Sequence, residues 1–278
     1  MTTLTLQGLR PDRAVIDHIA AAAGARSIDA LGDHAFRCHG VSPDAKAHVD
    51  ALCAEHRLDY AFLEDGHVKN IKLIAMDMDS TLITIECIDE IADMLGLKAE
   101  VSEITEAAMR GEIEFPESLA RRVALLKGLD ASALQRVYDE RVQLSPGAQA
   151  MLDAARAAGI KTLLVSGGFT FFTERLKERL QLDYSHANEL EIVDGKLTGR
   201  VLGTVVDAEE KRNKLLAVCI ELGIAPTQAI AMGDGANDMR MMDAAGLSVA
   251  FRAKPAVRAR ADIALNFVGL DGVLAFLS

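Results

Sequence analysis

The sequence contains no tryptophan, and aromatic residues account for only 4% of its 278 residues. Half of the residues are nevertheless apolar, which is enough to bury a sizeable core. Alanine, leucine and isoleucine must therefore supply most of the packing. The length allows either one large domain or two domains of modest size.

Cysteine is scarce as well, since the chain has four and none of them forms a C-x-x-C pair. Neither a zinc spacing nor a disulfide ladder is visible, and we expect free thiols in a reducing compartment. The N-terminus lacks the basic segment and apolar run of a signal peptide. No apolar run approaches the roughly 18 residues that a membrane span requires. We therefore expect a cytoplasmic protein without a membrane partner.

Positively charged residues are fewer than negatively charged ones, since the chain has 30 lysines and arginines and 41 aspartates and glutamates. With a formal net charge of −11 the chain repels polyanions, which argues against a nucleic-acid partner. A small anionic substrate can still bind where a metal ion and a few local cations oppose the overall field.

The first 68 residues have the pattern of a small α+β domain without a cluster of reactive side chains. Apolar spacing predicts a strand, a helix, a strand, a helix and a strand, in that order, at 3–8, 11–23, 34–39, 42–56 and 59–63. The polar segment Glu64–Asn70 contains a glycine and is typical of a linker. A second domain is therefore predicted to begin at about residue 69.

Residues 69–278 have the pattern of an α/β domain. An apolar run at Ile71–Met76 precedes a block of helices at about 88–143, and strands then alternate with helices from Ala148 onward. The alternation predicts a Rossmann-like parallel sheet with helices on both faces. Because the helical block interrupts it, we expect that block to be a cap inserted after the first strand. An Asp-Gly pair at 194–195 indicates a hairpin.

Four groups of polar residues stand at junctions between predicted strands and helices. They are Asp77-Met78-Asp79-Ser80-Thr81, Ser166-Gly167-Gly168, Lys211 and Gly233-Asp234-Gly235-Ala236-Asn237-Asp238. Taken singly, each also fits a solvated turn, a plain loop, a surface lysine or a helix cap. In a parallel sheet, however, such junctions share the edge at which open α/β sheets bind ligands. We therefore expect the four groups to lie together.

These residue types fit phosphoryl transfer. Two carboxylates at a strand end need a cation, and a hard divalent ion such as Mg²⁺ takes oxygen ligands. A hydroxyl, backbone N–H groups and a helix N-terminus form an anion site. A lysine near a helix start opposes the macrodipole, which suggests that its charge is used elsewhere. Together they predict a site that works by positioning and charge neutralisation.

In this order the four groups resemble the motifs of the haloacid dehalogenase superfamily, and the resemblance extends from residue 72 to about 265. It implies that Asp77 attacks phosphorus and becomes an acyl phosphate, while Asp79 serves first as general acid and then as general base. It also implies a Mg²⁺ ion, although Mn²⁺ suits oxygen ligands too. The implied ligands are Asp77, the backbone carbonyl of Asp79 and Asp234, supported from behind by Asp238.

Within the superfamily, the closer resemblance is to phosphatases that act on O-phospho-L-serine. It rests on Glu86, on Met109-Arg110-Gly111-Glu112 with Phe115, and on the run Ser118-Leu119-Ala120-Arg121-Arg122-Val123. It implies that Glu86 binds the substrate ammonium and Arg122 its carboxylate, under an apolar lid of Met109 and Phe115. The residues implied to hold the phosphoryl group are Ser166, Gly167, Lys211 and Asn237, with Gly168 in support.

Alternatives remain open at this point. The substrate could be phosphothreonine, homoserine phosphate or a sugar phosphate, although a sugar phosphatase has no need of both Glu86 and Arg122. A regulatory relative would form a long-lived phospho-aspartate, but an acid/base at Asp79 makes that intermediate short-lived. A binding module would not need the set of Asp77, Asp79, Lys211 and Asp234. Residues 1–65 resemble, more loosely, the ACT-like extension of some members, with one strand fewer. A serine-sensing or homodimer-forming role for them is a hypothesis.

Overall fold

A computed structural model describes residues 1–64, 70–110 and 112–277, and at Met109 it describes the backbone alone. The linker predicted at 64–70 therefore lies mostly outside the described residues. The division of the chain between residues 68 and 69 stays a prediction.

The N-terminal residues form a four-stranded antiparallel sheet with two helices. Its elements are β1 (Thr2–Gln7), α1 (Arg13–Ala22), β2 (Ser27–Ala30), β3 (Ala35–His39), α2 (Lys46–His56) and β4 (Asp59–Glu64). The strand order is β2-β3-β1-β4, the split β-α-β arrangement. The sequence pattern missed β2, because this edge strand is largely exposed and lacks an apolar alternation. The missing strand of the predicted ACT-like unit is thus present.

A seven-stranded sheet forms the centre of the remaining chain. Its strands are β5 (Leu73–Met76), β6 (Lys161–Phe169), β7 (Tyr184–Val193), β8 (Lys196–Leu202), β9 (Ala229–Gly233), β10 (Leu247–Phe251) and β11 (Ile263–Leu265). The order is β11-β10-β9-β5-β6-β7-β8, and every neighbouring pair is parallel except β7 with β8. The predicted parallel sheet and the predicted hairpin are confirmed, while the three-residue β11 was not foreseen.

Helices cover both faces of this sheet, as predicted. They are α7 (Ala148–Ala157), α8 (Thr170–Leu180), α9 (Ala208–Leu222), α10 (Met239–Ala244) and the short α11 (Pro255–Arg258). Leu73 and Ala75 belong to the buried cluster that includes α9 and α10, whereas Ile74 and Met76 belong to the cluster that includes α7 and α8. Alternate side chains of a fully buried strand thus pack on opposite layers.

The predicted cap is present between β5 and β6. It consists of α3 (Cys87–Asp93), α4 (Lys98–Met109), α5 (Phe115–Leu125) and α6 (Ser132–Arg141). The chain enters and leaves the cap side by side, because the N–H of Thr84 donates to the carbonyl of Gln143 at 2.9 Å and the N–H of Ser145 donates to that of Leu82 at 2.9 Å. The cap is therefore joined to the sheet by two paired strands of backbone.

The β7–β8 hairpin forms a second set of hydrogen bonds to the cap. The N–H of Gly128 donates to the carbonyl of Leu197, and the N–H of Leu197 donates to that of Leu129, both at 2.8 Å. The N–H of Ala131 likewise donates to the carbonyl of Gly195 at 2.8 Å. The turn between α5 and α6 is thus bonded to an extension of the sheet itself.

Asp59 joins the N-terminal sheet to the large domain. Its carboxylate is buried and accepts the backbone N–H groups of Asn266 at 2.8 Å and of Phe267 and Val268 at 2.9 Å. Arg37 adds a bond to the carbonyl of Ala275 at 2.9 Å. One aspartate at the start of β4 therefore satisfies three N–H groups of the loop that follows β11.

We expect Asp59→Ala to lower the free energy of unfolding by about 3 kcal/mol or more, because each buried N–H left without an acceptor costs roughly 1–3 kcal/mol. Urea denaturation measures the change. Asp44→Ala is the control, since this aspartate of the same sheet domain is exposed and its loss should matter by no more than about 0.5 kcal/mol. Equal effects of the two substitutions would contradict this account of the junction.

Candidate active site

Asp77 continues the line of β5 at the edge of the sheet. Its N–H donates to the carbonyl of Met232 at 3.0 Å, which prolongs the pairing with β9 by one residue. The residue is 4% exposed. The chain then makes a wide turn, in which the N–H groups of Leu82 and Ile83 reach back five residues to the carbonyls of Asp77 and Met78. Such turns are frequent at functional sites.

The turn brings Asp79 and Glu86 to the mouth of the cap. Ser80 adopts the left-handed conformation with φ of +56°, and its Oγ donates to Oε1 of Glu86 at 2.6 Å. The N–H of Cys87, at the start of α3, donates to Oδ1 of Asp79 at 3.2 Å. Both carboxylates are thus held by groups of the same short segment.

The loop at Ser166-Gly167-Gly168 is a bulge at the end of β6, where the pairing with β7 shifts between Val165 and Phe169. Oγ of Ser166 accepts the N–H of Gly168 at 2.8 Å. A Cβ at Gly168 would lie 2.8 Å from Oδ2 of Asp79, and one at Gly167 would lie 3.0 Å from Cζ of Phe115. A side chain at either position would therefore press on the carboxylate or the aromatic ring that packs on this backbone, and glycine avoids both contacts.

Lys211 lies in the first turn of α9, which Asp207 caps by accepting the N–H groups of Glu209 and Glu210 at 2.9 Å. Only 1% of the lysine is exposed. Its Nζ donates to Oδ1 of Asp77 at 2.6 Å and to Oδ1 of Asp238 at 2.7 Å. Burial disfavours the ammonium charge, but the two carboxylates outweigh it and raise the pKa of Lys211.

The segment after β9 folds closely around Asp238. Its Oδ2 accepts the N–H of Gly235 at 3.1 Å. A Cβ at Gly233 would collide with the side chain of Asp238, and one at Gly235 would collide with Oδ1 of Asn237. Two glycines thus allow Asp238 and Asn237 to turn back against the backbone, and they leave Asp234 half-buried beside them.

Three carboxylates converge at this edge of the sheet. One oxygen from each of Asp77, Asp234 and Asp238 lies within 4.8 Å of the others. Burial, and then the charge of Asp238, raise the pKa of Asp77, and the same two causes raise the pKa of Asp234 to about 7. Because one ammonium cannot neutralise three adjacent carboxylates, the oxygen-rich set fits a divalent cation.

Asp79 belongs to the same edge but faces the cap. Burial, and then the charge of Glu86, raise the pKa of Asp79 to about 7. A carboxyl group with such a pKa can both give and take a proton near neutral pH.

The cap contributes Phe115, Arg122 and Glu86 to this region. The half-buried Arg122 donates from Nε to the carbonyl of Ser118 at 3.4 Å. Its terminal nitrogens have no hydrogen-bond acceptor among residues 1–64, 70–110 and 112–277. Glu86 and Asp89 are its neighbouring carboxylates. The side chain of Met109, also predicted to line the cap, lies outside the described residues.

Asn188 is a residue of this region that sequence reasoning missed. It is 1% exposed, its Nδ2 donates to the carbonyl of Gly167 at 2.7 Å, and its Oδ1 accepts the N–H of Val206 at 2.8 Å. No signal in the sequence could have found it, because both partners are backbone groups and lie about twenty residues away.

The fold and this arrangement of residues agree with comparisons to known proteins. A family model described as haloacid dehalogenase-like hydrolase matches residues 74–243, more than half of the chain. The chain therefore belongs to the haloacid dehalogenase-like hydrolases, as the four motifs predicted. Within the described part of the chain, no helix has the length and apolar character that crossing a membrane requires.

Comparisons with individual proteins are more specific than the match to the family model. A phosphoserine phosphatase of Polaromonas sp. is 58% identical over 215 residues, which cover 76% of this chain and 91% of the relative. The crystal structure of a probable phosphoserine phosphatase from Vibrio cholerae has a TM-score of 0.84 at 37% identity, covering 99% of this chain and 86% of that one. That of a hydrolase of the same family from Salmonella enterica serovar Typhi has a TM-score of 0.91 at 32% identity, covering 100% and 98%.

We expect Lys211→Met to lower the free energy of unfolding by about 3–5 kcal/mol in a buffer freed of divalent ions, because the buried carboxylates lose their cation. Urea denaturation measures the loss. Lys161→Met is the matched control, since Lys161 pairs with Asp183 at the surface and should contribute less than about 1 kcal/mol. A loss at Lys211 no larger than at Lys161 would refute the electrostatic account of the site.

Proposed function

We propose that the chain hydrolyses O-phospho-L-serine to L-serine and inorganic phosphate, the reaction that completes serine biosynthesis. The observation that carries the proposal is the placement of a carboxylate and a guanidinium, Glu86 and Arg122, beside the reactive groups Asp77, Asp79 and Lys211. The charge of Glu86 acts on Asp79, and the charge of Arg122 acts on Glu86. The names of the relatives from Polaromonas sp. and Vibrio cholerae support the same substrate.

Asp77 is the nucleophile in this proposal. Lys211 holds its Oδ1, and Oδ2 accepts no hydrogen bond from the described residues. A carboxylate oxygen of Asp77 bonds to phosphorus while the bond from phosphorus to the serine oxygen breaks. Asp79 gives its proton to the departing serine oxygen. Water then attacks phosphorus and passes a proton to Asp79. The bond between phosphorus and the oxygen of Asp77 breaks, so that phosphate is released and the Asp77 carboxylate is restored.

The phosphoryl oxygens need donors while this happens. We assign them to Ser166, to the backbone at Gly167, to Asn237 and to Lys211, with Gly168 leaving room for the carboxyl group of Asp79. Preorganised donors of this kind stabilise the charge that develops in the transition state. The ends of β6 and β9 and the first turn of α9 supply them from different directions.

A divalent cation completes the charge balance, and we propose Mg²⁺, with Mn²⁺ as a second suitable ion. Asp77, the backbone carbonyl of Asp79 and Asp234 would hold it, and Asp238, bonded to Lys211, would support the shell. When bound, such an ion neutralises charge on the phosphoryl oxygens.

Recognition of the serine part falls to the cap. The ammonium of the substrate would pair with Glu86, which Ser80 already holds in place. The carboxylate would take the terminal nitrogens of Arg122 as a bidentate partner. Phe115, with Met109 as the predicted second residue, would cover the phosphoryl group and exclude water.

The setting of the enzyme is also a proposal. We place it in the cytoplasm, since all four cysteines are free, as a reducing compartment favours. A homodimer is proposed because β2 leaves an uncovered edge of the N-terminal sheet in the described part of the chain. With a net charge of −11, we expect no nucleic-acid partner.

We expect Mg²⁺ to raise the melting temperature of the wild-type protein. It should leave the melting temperature of Asp234→Asn unchanged, because this variant lacks one of the three carboxylates that Asp77, Asp234 and Asp238 supply. A ligand at one hundred times its Kd stabilises by about 2.7 kcal/mol. Thermal melts with and without Mg²⁺ measure the shift. Asp243→Asn, an exposed residue of α10, should respond like the wild type, and a normal response of Asp234→Asn would argue against the cation site.

We expect O-phospho-L-serine to exceed phosphothreonine, homoserine phosphate, glycerol phosphate and a hexose phosphate in kcat/KM by tenfold or more. That ratio corresponds to about 1.4 kcal/mol of transition-state discrimination. Phosphate release in the presence of Mg²⁺ measures it. Asp77→Asn should be inactive on every substrate.

Glu86→Gln is the matched variant for the substrate assignment. It should lose most of the advantage of phosphoserine over glycerol phosphate, because only the former carries an ammonium. The readout is the ratio of the two kcat/KM values, since the loss of the charge that acts on Asp79 changes both rates alike. A different leading substrate combined with an inactive Asp77→Asn would keep the chemistry and overturn the roles of Glu86 and Arg122.

A further inference from the structure

Asn188 occupies a particular position in the sheet. It lies in β7, opposite Phe169, at the point where the pairing of β6 with β7 resumes after the bulge at 166–168. Only 1% of the residue is exposed. A buried side-chain amide must find partners for its donor and its acceptor, and both partners belong to segments that carry the proposed phosphoryl donors.

The two hydrogen bonds of Asn188 join these segments. Its Nδ2 donates at 2.7 Å to the carbonyl of Gly167, in the middle of the phosphate loop. Its Oδ1 accepts at 2.8 Å the N–H of Val206, which directly precedes Asp207, the cap of the helix that carries Lys211. One planar amide therefore spans the gap between the loop and the base of α9.

The same bond helps to fix the peptide between Gly167 and Gly168. The carbonyl of Gly167 is held by Asn188, and the N–H of Gly168 is held by Oγ of Ser166 at 2.8 Å. Glycine has few backbone restraints of its own. The plane of this peptide, and with it the direction of the neighbouring N–H groups, therefore depends on the two side chains that hold its ends.

We propose that Asn188 is a positioning residue, which sets the distance between the phosphate loop and Lys211 so that one phosphoryl group meets both. The inference rests on the proposed phosphatase function for its readout, but not on the identity of the serine part. Only an amide fits the place, because a carboxylate lacks the donor for Gly167 and an aliphatic side chain lacks both groups. A displacement of 1 Å can cost about 100-fold in rate.

The experiment compares the wild type with Asn188→Asp, which keeps the acceptor for Val206 and loses the donor for Gly167. We expect kcat/KM to fall about 100-fold on phosphoserine and on glycerol phosphate alike, so that their ratio is unchanged, since Glu86 and Arg122 are untouched. Inhibition by inorganic phosphate should weaken by tenfold or more. Asn188→Ser, too short to span the gap, should act in the same direction and serves if Asn188→Asp does not fold.

Thr162→Val is the matched control. Thr162 is a buried polar residue at the other end of β6, bonded to Asp183. Its loss should lower the melting temperature while kcat/KM and inhibition by phosphate stay within about twofold of the wild type. Asn188 variants that behave like Thr162→Val would overturn the proposal. If the wild type does not prefer phosphoserine but the variants still bind phosphate more weakly, the substrate assignment fails and the positioning role stands.

Discussion

The site depends on one buried ammonium between two buried carboxylates. Lys211 bonds Asp77 at 2.6 Å and Asp238 at 2.7 Å, and all three residues are at most 5% exposed. The two bonds join the end of β5, the start of α9 and the turn after β9. Removing charges from water is costly unless they are paired and hydrogen-bonded. The three segments are therefore held at their separation by an ion pair that tolerates no missing member.

This arrangement leaves negative charge in excess and thereby defines the chemistry. Lys211 serves Asp77 and Asp238, but Asp234 and Asp79 have no buried cation of their own among the described residues. Burial, followed by the charge of a neighbouring carboxylate, raises the pKa values of both to about 7. At the position of Asp234 the excess favours a divalent cation. At Asp79 it favours a group that can both hold and release a proton near neutral pH, as a combined acid and base must.

The sequence allowed prediction of what depends on local pattern. Asp77 and Lys211 stand at strand and helix ends, and parallel strands bring such ends to one edge, so their meeting could be foreseen although they are 134 residues apart. The strands β2 and β11 could not be predicted, because β2 is largely exposed and β11 has only three residues. Asn188 and Asp59 were missed because each bonds backbone groups of a distant segment, and backbone groups leave no trace in the residue pattern.

The peptide at Gly167 is where recognition and chemistry meet. The ring of Phe115, from the cap, packs on one side of Gly167, and the amide of Asn188, from the sheet, holds its carbonyl. A movement of the cap therefore bears directly on the loop that is proposed to hold phosphate. Because β8 and the hairpin turn are bonded to the cap while β7 carries Asn188, the same hairpin restrains both partners of this contact. In the proposed mechanism, binding of the serine part under the cap would therefore affect the position of the phosphoryl group through Gly167. This glycine has no side chain to separate the ring of Phe115 from the backbone.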